Sequence, residues 1–250
     1  MEMWKEGDAG ARIGEMKARL DALGYDCGAG DTFDRQTAWA IRWFRRQNGL
    51  ADGECADAGL LARLDSDGAV RGVPGEFAYY SMEDPLWTDY PYDAANTPEI
   101  ERMKDSACGP TSMAIAVSSL LRRAVLPPVL ADWSNAHGFR DPDGIHGTSD
   151  AFFPACADRY GLYAERVEIT GPESFARAEA ELAAGHAIIC NVVPGSPFTP
   201  NGHYNLIQRI ENGRIHICDP NPKNASLPDY TIGEWLDGRW GRRYEIIGRR

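Results

Sequence analysis

"DSACGPTSMAIAVSSLL", residues 105–121, sets a single cysteine where a polar loop gives way to an apolar helical period. Cys108 is followed by Gly109-Pro110-Thr111-Ser112, and then Met113, Val117, Leu120 and Leu121 lie at helical spacing. Proline suits the first turn of a helix, because an N–H there has no partner within the helix. A helix beginning here turns free backbone N–H groups and the positive end of its dipole toward the thiol, and both lower a thiol pKa. The same N–H groups can hold an oxyanion. Three readings of Cys108 are open at this point: a buried thiol, half of a disulfide, or a nucleophile. The helix is expected to stop at Pro127-Pro128.

Toward the C-terminus the pattern predicts two more helices and then strands. One helix falls around "DAFFPACADRYG" (150–161), with Gly161 as its stop. The next covers "PESFARAEAELAAG" (172–185), with Pro172 near its start and Gly185 past its end. "HAIICNVV" (186–193) reads as a strand, "HYNLIQRI", "ENG" and "RIHICDP" (203–220) as a β-hairpin, and "RRYEIIGRR" (242–250) as a last strand. Helices first and an antiparallel sheet afterwards make an α+β domain.

A thiol nucleophile must be ionised, needs a base that can return a proton, and needs a group to orient that base. His203 opens the first hairpin strand and Asp219 lies near the end of the second. Folding about Asn212-Gly213 sets residue 219 opposite 205 or 206. Opposite 205, His203 and Asp219 share a face, one diagonal step apart. Opposite 206, they point to opposite faces. The chemistry requires the first register, or a bulge that restores it. Asp219 would then accept the imidazole Nδ1 proton and fix the tautomer.

Residues 1–66 read as three helices separated by Gly/Asp turns. Ile13, Met16, Leu20 and Leu23 keep helical spacing up to Gly24. "RQTAWAIRWFRRQNGL" (35–50) sets Ala40, Ile41 and Phe44 on one face and closes at Gly49. "CADAGLLARLDS" (55–66) supplies a short third helix. "DSDGAVRGVPGE" (65–76) is polar and carries Gly and Pro, so residues 67–76 are expected to form a linker to a second domain over 77–250.

The bulk properties exclude several classes. With 43% hydrophobic and 25% charged residues, the 250-residue chain can build a soluble core. A net charge of -11 argues against nucleic-acid binding, which asks for a basic face. The longest apolar runs are too short for membrane insertion. "MEMWKEGDAG" has no apolar signal region, so synthesis in the cytoplasm without a signal peptide is expected. None of the six cysteines forms a CxxC pair, so zinc spacing is absent and no metal is expected. Cys190 and Cys218 read as small core residues, while a Cys27–Cys55 bridge is left open. His146, in "GIHGTS", is a candidate substrate contact, and Trp87, Trp133, Trp235 and Trp240 can belong either to the core or to a cleft.

Two resemblances bear on function. "GEMKARLDALGY", "GDTFDRQTAWAIRWFRRQNGLADG" and "LLARL" resemble the peptidoglycan-binding domain of bacterial and phage cell-wall enzymes, over residues 7–65. "YYSMEDPLW", "PY", "SACGPTSMA", "HGTSDAFF", "YGL", "NGHYNLI" and "IHICDP" resemble the peptidase C39-like family of papain-like cysteine peptidases, over residues 77–236. The second resemblance implies Cys108 as nucleophile, His203 as general base and acid, and Asp219 as orienter, without a metal or organic cofactor. In the first, Thr32 and Asp34 stand where glycines commonly flank the loop Phe. In the second, Met82 stands where a Gln commonly helps to hold the oxyanion. Loss of one such donor typically costs about 10²–10³ in rate, and Ser81 or Ser106 are candidate substitutes.

Together they imply a peptidoglycan hydrolase that cuts an amide bond and acts on the wall after release, in the manner of a phage endolysin. The alternatives are a C39-like processing peptidase, a transferase built on the same three residues, and a catalytically degenerate wall binder.

Overall fold

The computed structural model describes residues 3–93, 101–140 and 147–250. His146 lies outside the described residues. The N-terminal helices are α1 (Ala11–Ala22), α2 (Arg35–Gln47) and α3 (Ala58–Leu64). Asp34 caps α2, accepting from the Thr37 N–H at 2.8 Å and the Thr37 hydroxyl at 2.7 Å. The loop before it is held by Lys17, a buried ammonium that donates to the Ala29 and Thr32 carbonyls at 3.1 and 3.0 Å. Those bonds offset the cost of taking the charge out of water. Cys27 and Cys55 are free thiols.

In the second unit a single turn, α4 (Met103–Ser106), leads into α5 (Cys108–Leu121). Helix α5 is buried on nearly every side, as an apolar helix with no polar stripe must be. It ends at Leu121, with Arg122 left-handed at φ 58°, rather than at Pro127-Pro128. Those prolines instead open α6 (Pro127–Ala136), because proline is as well suited to a first turn as it is hostile to an interior. Helices α7 (Phe152–Arg159), α8 (Pro172–Ala183) and α9 (Ile232–Asp237) follow in chain order.

The strands are β1 (Leu162–Glu168), β2 (Ala187–Val192), β3 (His203–Glu211), β4 (Arg214–Cys218), β5 (Tyr230–Thr231) and β6 (Gly241–Arg249). They form one antiparallel sheet in the order β1-β6-β2-β3-β4-β5. Alternate residues of β2 enter different cores: Ile189 joins the cluster around α5, while Ile188 and Cys190 join the one containing Phe175 of α8 and Trp235 of α9. The central strands are therefore apolar on both faces, which explains their unbroken hydrophobic runs.

The stretch 67–76 is packed against the helical unit. The Tyr25 hydroxyl donates to the Val70 carbonyl at 2.7 Å, and the Gly72 N–H donates to the Leu23 carbonyl at 3.0 Å. One buried apolar cluster runs through both units. On α2, Trp43 meets Tyr80 and Trp87 at centroid distances of 5.6 and 5.8 Å, and Trp39 meets Tyr90 at 5.1 Å. The buried carboxylate of Asp26 accepts from Arg123 at 2.8 Å and from the Tyr160 hydroxyl at 3.0 Å, tying the N-terminal loop to the second unit.

Candidate active site

Cys108 is the first residue of α5 and stands on the wall of a cleft of about 690 Å³. One turn further, the Ser112 hydroxyl donates to the Tyr204 carbonyl at 3.0 Å, and the Tyr204 N–H bonds to the Cys108 sulfur. The helix tip is thus fastened to β3 beside His203. At Gly109 an added Cβ would come within 2.7 Å of Thr148, so the tip needs glycine for the 147–150 segment to close over it. Ser112, at i+4 from Cys108, shares its helix face. That spacing was a usable signal in the sequence, though its partner on β3 was not.

The hairpin reaches the register the chemistry requires through a bulge. At the Asn212-Gly213 turn, where both residues have positive φ, Glu211 pairs with Arg214, Ile210 with Ile215 and Arg209 with His216. Beyond Gln208 the pairs become Ile207 with Ile217 and Leu206 with Cys218. Gln208 is the extra residue, and one further step sets Asp219 opposite Asn205. His203 and Asp219 therefore share a face.

His203 and Asp219 are buried, at 6% and 8% exposure, and bonded through His203 Nε2 and Asp219 Oδ1 at 2.7 Å. The ring is reversed relative to the sequence expectation, since Nε2 rather than Nδ1 meets the carboxylate. The physical reason is reach: with Nε2 toward Asp219, the other nitrogen is left for Cys108, to which His203 is also hydrogen-bonded. Asp219 further accepts from the Asn221 N–H at 2.8 Å, from Asn224 Nδ2 at 3.0 Å and from Asn205 Nδ2 at 3.3 Å. Four donors on one carboxylate fix its orientation. Sequence reading missed Asn205 and Asn224. Asn205 lies on the His203 face by strand alternation, whereas Asn224 comes from a 3₁₀ turn over residues 222–226.

Burial pushes the Cys108 thiol up, but the hydrogen bond and charge of His203 and the Tyr204 N–H outweigh it, and the net shift is downward. Burial likewise disfavours the imidazolium, yet Asp219 and Cys108 raise His203 to about 10. Both shifts favour the thiolate–imidazolium form of the pair over the neutral one. The imidazolium, present below its raised pKa, is lost as pH rises through it. Iodoacetamide is therefore expected to alkylate Cys108 at pH 7 at least tenfold faster than an ordinary thiol of pKa about 8.5. His203→Ala should erase that advantage, which mass spectrometry of the labelled peptide would measure.

Met82 lines the cleft and supplies no side-chain donor, its N–H being given to the Pro220 carbonyl at 2.9 Å. Ser106 also lines the cleft, whereas the Ser81 hydroxyl accepts from the Glu83 N–H at 3.0 Å. Trp87, Trp133, Trp235 and Trp240 lie in or against the apolar clusters and not along the cleft. His137, His186 and His216 are occupied by the Trp133 carbonyl, Glu181 and Asp229 respectively. Among the described residues no group of three or more His, Cys, Asp or Glu could hold a metal ion.

Residues 88–248 match the family model described as "Peptidase_C39 like family", and residues 9–64 match the one described as "Putative peptidoglycan binding domain". No curated protein sequence matches the chain. Among solved structures, the peptidase domain of Streptococcus ComA, a bi-functional ABC transporter involved in a quorum-sensing pathway, is 16% identical with a TM-score of 0.43. That match covers 58% of this chain and 93% of that one. A double glycine motif protease from an AMS/PCAT transporter, in complex with the leader peptide, is 19% identical over 63% of this chain and 94% of its own, with a TM-score of 0.37. A fused Zn-dependent amidase/peptidase/peptidoglycan-binding domain-containing protein from Clostridium acetobutylicum ATCC 824 is 21% identical over 34% of this chain and 37% of its own, with a TM-score of 0.27.

Proposed function

The chain belongs to the Peptidase C39 like family and carries an N-terminal peptidoglycan-binding domain, and from that premise we propose that it is a cysteine-dependent peptidoglycan hydrolase. The observation that carries this reading is the hydrogen-bonded line Cys108–His203–Asp219 opening on a cleft.

The Cys108 thiolate attacks the carbonyl carbon of a wall amide, and the C=O electron pair moves onto oxygen. The N-terminus of α5 stabilises that oxyanion through backbone N–H groups. Collapse breaks the C–N bond, and the leaving nitrogen takes the proton of the His203 imidazolium. Neutral His203 then removes a proton from water, which attacks the thioester and returns the thiolate. Asp219 accepts from the ring throughout and holds it in place. The scissile bond is a peptide cross-bridge or stem bond, or the sugar-to-peptide amide. The pairing of wall-binding and peptidase units suits an endolysin released onto the wall.

The test is mass spectrometry of muropeptides after digestion of purified walls by wild type and Cys108→Ala. New termini produced only by wild type name the bond. Identical profiles end the hydrolase reading. A second reading, a catalytically silent wall binder, is favoured by Met82 alone. It predicts wall retention with no new termini from the wild type.

A further inference from the structure

The cleft carries a cation that the mechanism leaves unused. Strand β2 pairs with β6 as Asn191 with Arg243 and Val192 with Gly241, so Arg242 is an additional residue, bulged out of the ladder. A bulge re-aims the side chain it displaces. This one is held on both sides. The Arg242 carbonyl accepts the Ile169 N–H at 3.0 Å. At Gly241 an added Cβ would lie 2.6 Å from Trp235 Nε1 and 2.9 Å from Ile169 Cδ1, so the strand can press close only without a side chain there. Arg242 itself is exposed and lines the cleft with Cys108 and His203.

The other charged groups along the cleft are already occupied. Asp150 accepts from Arg243 and from the Tyr204 hydroxyl, Glu101 pairs with Arg140, and Lys104 pairs with Asp89 at 2.7 Å. Asp105 accepts the Arg102 N–H at 3.1 Å, and His203 is bonded to Asp219. Among the described residues no carboxylate stands within ion-pair distance of Arg242.

We propose that Arg242 is a specificity-determining residue that binds a free carboxylate of the wall peptide beside the scissile amide. A guanidinium offers a carboxylate two parallel hydrogen bonds, which an uncharged amide cannot match. The substrate is then an acidic stem peptide rather than a neutral, glycine-only bridge. This assignment rests on the wall-hydrolase reading above.

The test uses the full chain and two muropeptide preparations from one wall, with stem carboxylates free or converted to amides. Turnover is measured with wild type, and binding with Cys108→Ala. Wild type is expected to favour the free carboxylate by about tenfold or more in kcat/KM, the scale of one charge-assisted hydrogen bond. Arg242→Gln should bring the ratio between substrates near one, Arg242→Lys should keep part of it, and Arg242→Glu should invert it. The same ratio in wild type and Arg242→Gln overturns the proposal while leaving the hydrolase reading intact. Failure of wild type to generate new termini from either preparation rejects the hydrolase reading. Binding then judges Arg242 separately: a preference of Cys108→Ala for the free carboxylate, lost on adding Arg242→Gln, supports it, and equal affinities reject it.

Discussion

Asp219→Asn is expected to lower kcat/KM for wall hydrolysis on the order of 10⁴-fold, the scale seen when a catalytic histidine loses its carboxylate partner. The carboxylate reaches the ring through two anchors that disagree by one residue. At the turn, Glu211 pairs with Arg214, and that register, continued through Gln208 without a bulge, would carry Asp219 opposite Leu206. At the other end, Val192 holds His203 and Ile188 holds Ile207, so β3 cannot slide. Gln208 absorbs the difference and leaves Asp219 on the His203 face. With Asn at 219, His203 Nε2 loses its charged acceptor and the Cys108 pair loses its orienting charge. Gln208 is exposed, so Gln208→Ala keeps the extra backbone unit and should keep activity. Thermal unfolding of both variants separates loss of the charge from loss of fold. An Asp219→Asn variant that folds and still turns over substrate at the wild-type rate would mean that Asp219 does not orient the imidazole.

Trp43→Ala is expected to cost about 3–5 kcal/mol, as for other buried aromatic truncations, and to lower Tm by about 6–20 °C at this chain length. The ring is 8% exposed, packs on Tyr80 and Trp87, and donates from Nε1 to the Gly72 carbonyl at 3.3 Å. It therefore touches the helical unit, the connecting stretch and the second unit at once. Calorimetry should show one cooperative transition in wild type, moved as a whole by the substitution. Removal of residues 1–76 would uncover Tyr80, Trp87 and Tyr90, and the remainder should aggregate rather than fold. Two independent transitions, with the upper one indifferent to Trp43→Ala, would contradict a common core. The functional consequence is geometric: the wall-binding unit would hold substrate at a fixed distance from the cleft rather than at the end of a flexible tether.

Much of the secondary structure was legible because its signals are local. Gly49, Gly161 and Gly185 end helices in the left-handed conformation, Asn212-Gly213 demands a two-residue hairpin turn, and the apolar run after Cys108 demands a buried helix. Helix α6 escaped because proline at 127 signals a stop and a start equally. Strand β1 escaped because it is an edge strand, and "LYAERVE" buries only Leu162 fully. The docking of the N-terminal unit escaped because Trp39 and Trp43 satisfy a helical pattern whichever surface they meet.

Residue chemistry and spacing within short windows were enough to nominate Cys108, His203 and Asp219 and to name the α+β class, because helix starts, turns and alternation are consequences of neighbouring atoms. Which imidazole nitrogen meets Asp219, whether Asp219 shares a face with His203, where Arg242 points and what covers Trp43 were decided by tertiary structure alone. Each depends on strands and helices far apart in the chain competing for one register or one surface. The outcome of that competition is set by packing, which no local window contains.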